Sequence, residues 1–145
     1  KVVLGAYWEK LQDRNDLDQR FDELEKDLRD LRASGKEVVL ILSNPTGDEF
    51  NPKTMIKSRL KIPSETLLKP ADRKTFEESV LPVTLRLKRL AENINGAVIN
   101  PVPFLCGSSF CATTYKGKPV YKDFDHMRPF YAREKASFLD TIVEN

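Results

Sequence analysis

Histidine occurs once in these 145 residues and cysteine only twice. A zinc-type site needs about four donors, so His126, Cys106 and Cys111 fall short unless Asp125 joins them. No metal and no cofactor is expected. An excess of charge of one sign is also missing. The 24 basic residues face 22 acidic ones, for a formal net charge of +2, and the two signs are mixed along the chain. A nucleic-acid footprint requires clustered basic residues, so no nucleic-acid partner is expected. Long apolar runs are absent as well. None approaches the roughly 18 to 20 residues of a membrane span, and no signal-peptide pattern opens the chain. There is no internal repeat, no low-complexity stretch and no Gly-rich phosphate loop. What remains is ordinary, with 40% hydrophobic and 32% charged residues, a composition that suits one folded domain over residues 1–145.

The apolar pattern reads as α/β. Residues 2–7 form a short apolar run that resembles a buried parallel strand. They carry no charge to protect a sheet edge, which suggests an inner strand of a larger domain. The chain also begins directly in this strand without a methionine, as a piece of something larger would. Asp16 or Asp18 can cap a helix with apolar positions Leu17, Phe21, Leu24, Leu28 and Leu31. Gly35 suits the left-handed residue that ends it. Glu37–Leu42 reads as a strand buried on both faces, completing a strand–helix–strand unit. Residues 43–71 are rich in turns. Pro45, Pro52, Pro63 and Pro70 limit any helix there to a short piece near 53–60, and so long an insert suits a lid or a substrate wall. A second helix is expected from Asp72 to Asn93, with Phe76, Val80, Val83, Leu87 and Leu90 inward. Pro82 predicts a kink or break in it near Ser79. Residues 97–99 form a third strand, a hairpin turns through Lys116-Gly117-Lys118, and a last helix runs from Arg128 to Val143.

Chemistry-bearing residues gather in the last third. Cys106 and Cys111 are separated by four residues in one loop. A local disulfide, a metal site and two unrelated free thiols are the competing accounts, and the short closed loop favours the disulfide. Further on, Asp123-Phe124-Asp125-His126 places a carboxylate three positions before the single histidine. Such a carboxylate can fix the tautomer of the ring and balance its charge during acid/base work. The plainer alternative is a surface histidine ahead of a helix. Asp125, directly adjacent to His126, is expected to point elsewhere.

The ending Cys106…Cys111…Tyr115-Lys-Gly-Lys-Pro-Val-Tyr-Lys-Asp123-Phe-Asp-His126-Met resembles the C-terminal block of the SGNH hydrolase superfamily. More narrowly, it is similar to the periplasmic SGNH domains that work with bacterial membrane-bound polysaccharide O-acyltransferases. The opening Val2–Trp8 is similar to a strand-plus-Trp segment of the same group. The resemblance implies a three-layer α/β/α, flavodoxin-like fold with a mainly parallel sheet. It implies Ser-His-Asp acyl transfer, with Asp123 as the acid and His126 as the base. The implied partners are a glycan acceptor and an acyl donor delivered by a membrane acyltransferase domain. The implied setting is periplasmic, on an inner-membrane protein.

The nucleophile is the departure from that pattern. The sequence contains neither Gly-Asp-Ser nor a Gly-x-Ser-x-Gly elbow. Ser43, Ser108 and Ser109 lie in loops, and none follows a strand and opens a helix as a nucleophile turn should. Gly5 and Asn44 sit at strand ends where oxyanion donors would, but both read better as turn residues. The serine, and with it an N-terminal strand, is therefore expected outside this chain. An alternative without catalysis is a carbohydrate-binding or partner-docking module, with Trp8, Tyr115, Tyr121 and Tyr131 stacking on sugars.

Overall fold

The computed structural model of the chain describes residues 1–12, 14–55 and 70–143. These group into two compact units, one of residues 1–43 and 79–101, the other of residues 44–78 and 102–145. The chain is α/β, and its main sheet is parallel.

The first unit is the expected strand–helix–strand pattern extended by one more helix and strand. Strands β1 (Val2–Gly5), β2 (Val38–Ile41) and β4 (Ala97–Ile99) form a parallel sheet in the order β1-β2-β4. Val3 pairs with Val39, and Leu40 with Val98. Central β2 is buried as its unbroken apolar run demands. β1 differs from the expectation, because its burial alternates between half-buried and exposed. It is paired on one side only among the described residues, so one row of its backbone groups and one set of its side chains stay open.

Helix α2 (Leu17–Ala33) connects β1 to β2, after a short helix α1 (Glu9–Gln12) that the sequence pattern does not announce. Phe21 and Leu28 are its buried residues. Asp16 stands at the N-cap without a side-chain capping bond; its carboxylate is taken instead by Arg14 and Arg20. At the other end Gly35 adopts φ 80°. Its neighbour Lys36 then donates its N–H to the Leu31 carbonyl at 3.1 Å, a capping arrangement that a residue with a Cβ would strain. Helix α3 (Arg73–Asn93) is capped by Asp72, whose Oδ1 accepts the Thr75 N–H at 2.7 Å. All five inward positions, Phe76, Val80, Val83, Leu87 and Leu90, are buried. The expected break near Ser79 is not there, since α3 continues through Pro82. Pro82 removes a single backbone donor, and the buried apolar stripe on either side holds the remaining turns. The division between the two units nonetheless falls between Glu78 and Ser79.

The second unit is made of short pieces. β3 (Ala71–Asp72) pairs antiparallel with β5 (Phe110–Cys111), and helix α4 (Val102–Leu105) precedes β5. β6 (Thr114–Tyr115) and β7 (Lys118–Pro119) form the expected hairpin. Its two turn residues both have positive φ, 51° at Lys116 and 71° at Gly117, a twist that matches the flanking strands. The expected C-terminal helix is instead α5 (Pro129–Lys135), a 3-10 turn over Ser137–Leu139 and α6 (Asp140–Val143). Turning at Ala136 lets Phe138 bury, with its ring 5.6 Å from that of Phe104. Of the turn-rich insert, residues 44–55 carry a 3-10 turn at Asp48–Phe50. The helix expected near 53–60, and Pro63, fall largely or wholly outside the described residues.

Candidate active site

The loop Lys122–His126 is built from its flanks inward. Val120 and Tyr121 are fully buried. The Val120 N–H donates to the Thr113 carbonyl at 3.0 Å, and the Arg128 N–H to the Val120 carbonyl at 2.8 Å. Tyr121 forms a bridge with Met127, and the Lys122 N–H donates to the His126 carbonyl at 2.9 Å, closing the loop on itself. The Tyr121 ring stacks on Phe50 with centroids 4.8 Å apart, and its hydroxyl accepts the Asn44 amide N–H at 3.0 Å. The Gly47 N–H reaches the Phe124 carbonyl at 3.1 Å. The described part of the insert thus braces the loop, a role its composition does not reveal.

Inside that frame Asp123 has two tasks. Its Oδ1 accepts the backbone N–H groups of His126 at 2.8 Å and Asp125 at 3.2 Å. Both of its oxygens also lie 3.0 Å from His126 Nδ1. An ionised carboxylate only accepts, so Nδ1 carries the proton and Nε2 is the basic nitrogen. No hydrogen bond to Nε2 occurs among the described residues, and the His126 side chain is 62% exposed. Partial burial pushes the Asp123 carboxyl up. The backbone N–H groups of His126 and Asp125, and after them the imidazole, outweigh it and hold Asp123 well below the usual carboxylate range. The shift favours the ionised form of Asp123.

Asp125 does not point elsewhere. Its Oδ1 lies 2.8 Å from His126 Nδ1, nearer than either oxygen of Asp123. In the loop closed between Lys122 and His126, Asp125 comes back to the ring nitrogen, which the spacing of adjacent residues does not anticipate. That oxygen is nevertheless buried without a hydrogen bond. One N–H cannot serve three oxygens; Asp123 takes the bond, and the Asp125 oxygen lies beside the ring nitrogen without one.

Asp123, Asp125 and His126 also bring one potential ligand atom each to within 4.8 Å of one another. The Nδ1 proton accounts for the placement of Asp123 beside His126. The thiols cannot add to that group, since Cys106 and Cys111 form a disulfide with Cα atoms 4.0 Å apart.

The remaining sequence candidates are placed elsewhere. Ser43 is 4% exposed, and its Oγ is buried without a hydrogen bond, so it presents no nucleophile to a substrate. Ser108 and Ser109 are exposed, and no serine hydroxyl bonds to His126 among the described residues. Gly5 ends β1, with the Ile41 side chain 3.5 Å from where a Cβ would stand; Asn44 is committed to Tyr121. Three of the four aromatic residues expected to stack on sugars are buried instead. Trp8, Tyr121 and Tyr131 are 3%, 1% and 2% exposed. The Trp8 indole N–H is spent on the Ile41 carbonyl at 2.8 Å. Only Tyr115 remains half-exposed.

A family profile described as SGNH domain (fused to AT3 domains) matches residues 1–140. The chain belongs to this family. The SGNH domain is accordingly a hydrolase-like acyl-transfer module of α/β fold at the level the family defines. No curated protein matches the chain, and neither does any solved structure. Among the described residues of this SGNH domain, no helix is long and apolar enough to cross a membrane.

Proposed function

We propose that His126 and Asp123 are the base and acid of a Ser-His-Asp acyl transfer to or from a glycan hydroxyl. The observation that carries this reading is the His126 ring itself. Its Nδ1 is held by Asp123 at 3.0 Å while Nε2 is left open on an exposed side chain. In the reaction, Nε2 takes the serine proton as the oxygen attacks the acyl carbonyl, and it returns that proton to the departing group. In the second half it takes the proton of the glycan hydroxyl as that oxygen attacks the acyl-enzyme, the bond from the serine oxygen to the acyl carbon breaks, and Nε2 returns the proton to the serine. Asp123 holds the ring in the productive tautomer, and the two carboxylates balance the positive charge that forms on it.

On this reading the nucleophile is supplied from outside Lys1–Asn145, a reading supported by the lack of a Gly-Asp-Ser in the sequence and by the burial of Ser43. On this reading the parallel sheet is the centre of a three-layer α/β/α domain completed by that segment. The module works outside the cytoplasm, in the periplasm, and receives its acyl group from a membrane acyltransferase domain. Family membership supports the acyl-transfer class; the glycan, the donor and the residue roles belong to the proposal. The test is acyl transfer by the intact protein carrying His126→Ala. Loss of at least about three decades of rate, with an unchanged circular-dichroism melt, is expected. Wild-type transfer by that variant would overturn the assignment.

A further inference from the structure

Acid/base chemistry does not use the hairpin that precedes the loop. Between Cys111 and Asp123 the chain carries Lys116, Lys118 and Lys122 and no acidic residue. α5 adds Arg133 and Lys135, with Glu134 its single acid. Lys116 Nζ and Lys135 Nζ lie 5.1 and 5.2 Å from the Tyr115 ring centroid, and Lys118 Nζ lies 5.9 Å from that of Phe130. The buried Tyr131 ring lies 5.6 Å from that of Tyr115 and 6.4 Å from that of Phe130. Ammonium groups from two elements are thus gathered at one cluster of aromatic rings. Glu134 pairs with Lys116 at 2.9 Å. Lys118, Lys122, Arg133 and Lys135 have no ion-pair partner among the described residues.

We propose that the β6–β7 hairpin and α5 bind an acidic polysaccharide, one whose sugars carry carboxylate or phosphate groups. The unneutralised amines would meet its charges, while the half-buried Tyr115 and Phe130 rings offer flat apolar edges to the sugar between them. The inference rests on the acyl-transfer reading only in taking that glycan as the acceptor. A bilayer surface fits this face less well. None of the large exposed apolar side chains of the chain lies in residues 114–119 or 129–135, so nothing there can insert beneath lipid headgroups.

The experiment measures binding of the intact protein to polygalacturonate, to neutral dextran and to phosphatidylglycerol vesicles. Polygalacturonate should bind, more weakly as salt is added, and the other two should not. The double variant Lys118→Glu, Lys135→Glu should weaken binding about tenfold or more, each reversal removing an attraction and adding a repulsion. Lys88→Glu, an equal charge change per site on α3, should not. Equal losses from Lys88→Glu and from Lys118→Glu alone would reduce the effect to net charge and overturn the proposal. Dextran binding as strong as polygalacturonate binding would overturn it too, and a preference for the vesicles would assign the face to membrane. Binding should persist in the His126→Ala protein, so failure of the acyl-transfer assignment and failure of this one are told apart.

Discussion

In residues 1–43 and 79–101, side chains at regular spacing carry the structure. Leu40 and Leu87 are fully buried, Val38 and Val83 nearly so, and each belongs to a continuous apolar strand or to a stripe along a long helix. Among the described residues of 44–78 and 102–145 the elements are two to seven residues long beyond the first turns of α3. They are fixed by individual ties: a disulfide, the Phe50–Tyr121 stack, and single backbone bonds such as Gly47 to Phe124. Periodic burial gives a region that tolerates surface change and resists opening. Point ties give a region in which one side chain can be aimed at one atom, and the candidate chemistry lies there. Stability and activity should therefore respond to different residues.

The sharpest contrast comes from the Asp123–Asp125 pair. Asp123→Asn keeps an oxygen for the backbone N–H groups of Asp125 and His126 but removes the charge and disturbs the tautomer. Acyl transfer should fall by about two to four decades with little change in melting temperature. Asp125→Asn should cost only roughly one decade, because Asp125 approaches the ring without taking its hydrogen bond; a wild-type rate in that variant would show its 2.8 Å approach to be idle. In the other unit, Leu87→Ala should cost about 2–5 kcal/mol by chemical denaturation. Transfer measured well below the new melting temperature should stay near wild type, and a rate loss as large as that of Asp123→Asn would break the division of labour.

Smaller effects sharpen the same contrast. Replacing Cys106 and Cys111 by serine opens a very short loop, and the chain-entropy estimate for so few residues is roughly 2 kcal/mol. Limited proteolysis should then cut first near residues 106–111 while the βαβ unit stays protected. The least effect concerns Asp16. The Arg14 hydrogen bond, with help from Arg20, lowers its carboxyl from 3.8 to about 2 despite partial desolvation. A depressed carboxylate stabilises the fold fully above its ordinary range, and this contribution fades as pH drops from about 4 toward 2. Asp16→Asn should flatten the melting curve over that window alone.

Legibility followed the same boundary. The five inward positions of α3 could be read because a 3.6-residue period survives in sequence, and β2 could be read from its run of apolar residues. The Asp123–His126 pair was readable because three residues of separation across a tight loop bring a carboxylate to an imidazole. Asp125 was not, since its approach depends on the closing bond from Lys122 to the His126 carbonyl. The break between α5 and α6 was hidden for a similar reason: Phe138 gains burial beside Phe104, some 34 positions earlier in the chain. Two-residue strands such as β3 and β5 carry too little pattern to announce themselves.

A histidine on a surface loop ordinarily samples both tautomers and flips its ring. Here Nδ1 faces three carboxylate oxygens within 3.0 Å, and a flipped ring would turn a carbon toward them. The orientational entropy of the imidazole is thus largely spent when the loop folds. In the proposed reaction, a proton arriving at or leaving Nε2 would meet a partner already aligned, and little of the barrier to its transfer would be spent on searching.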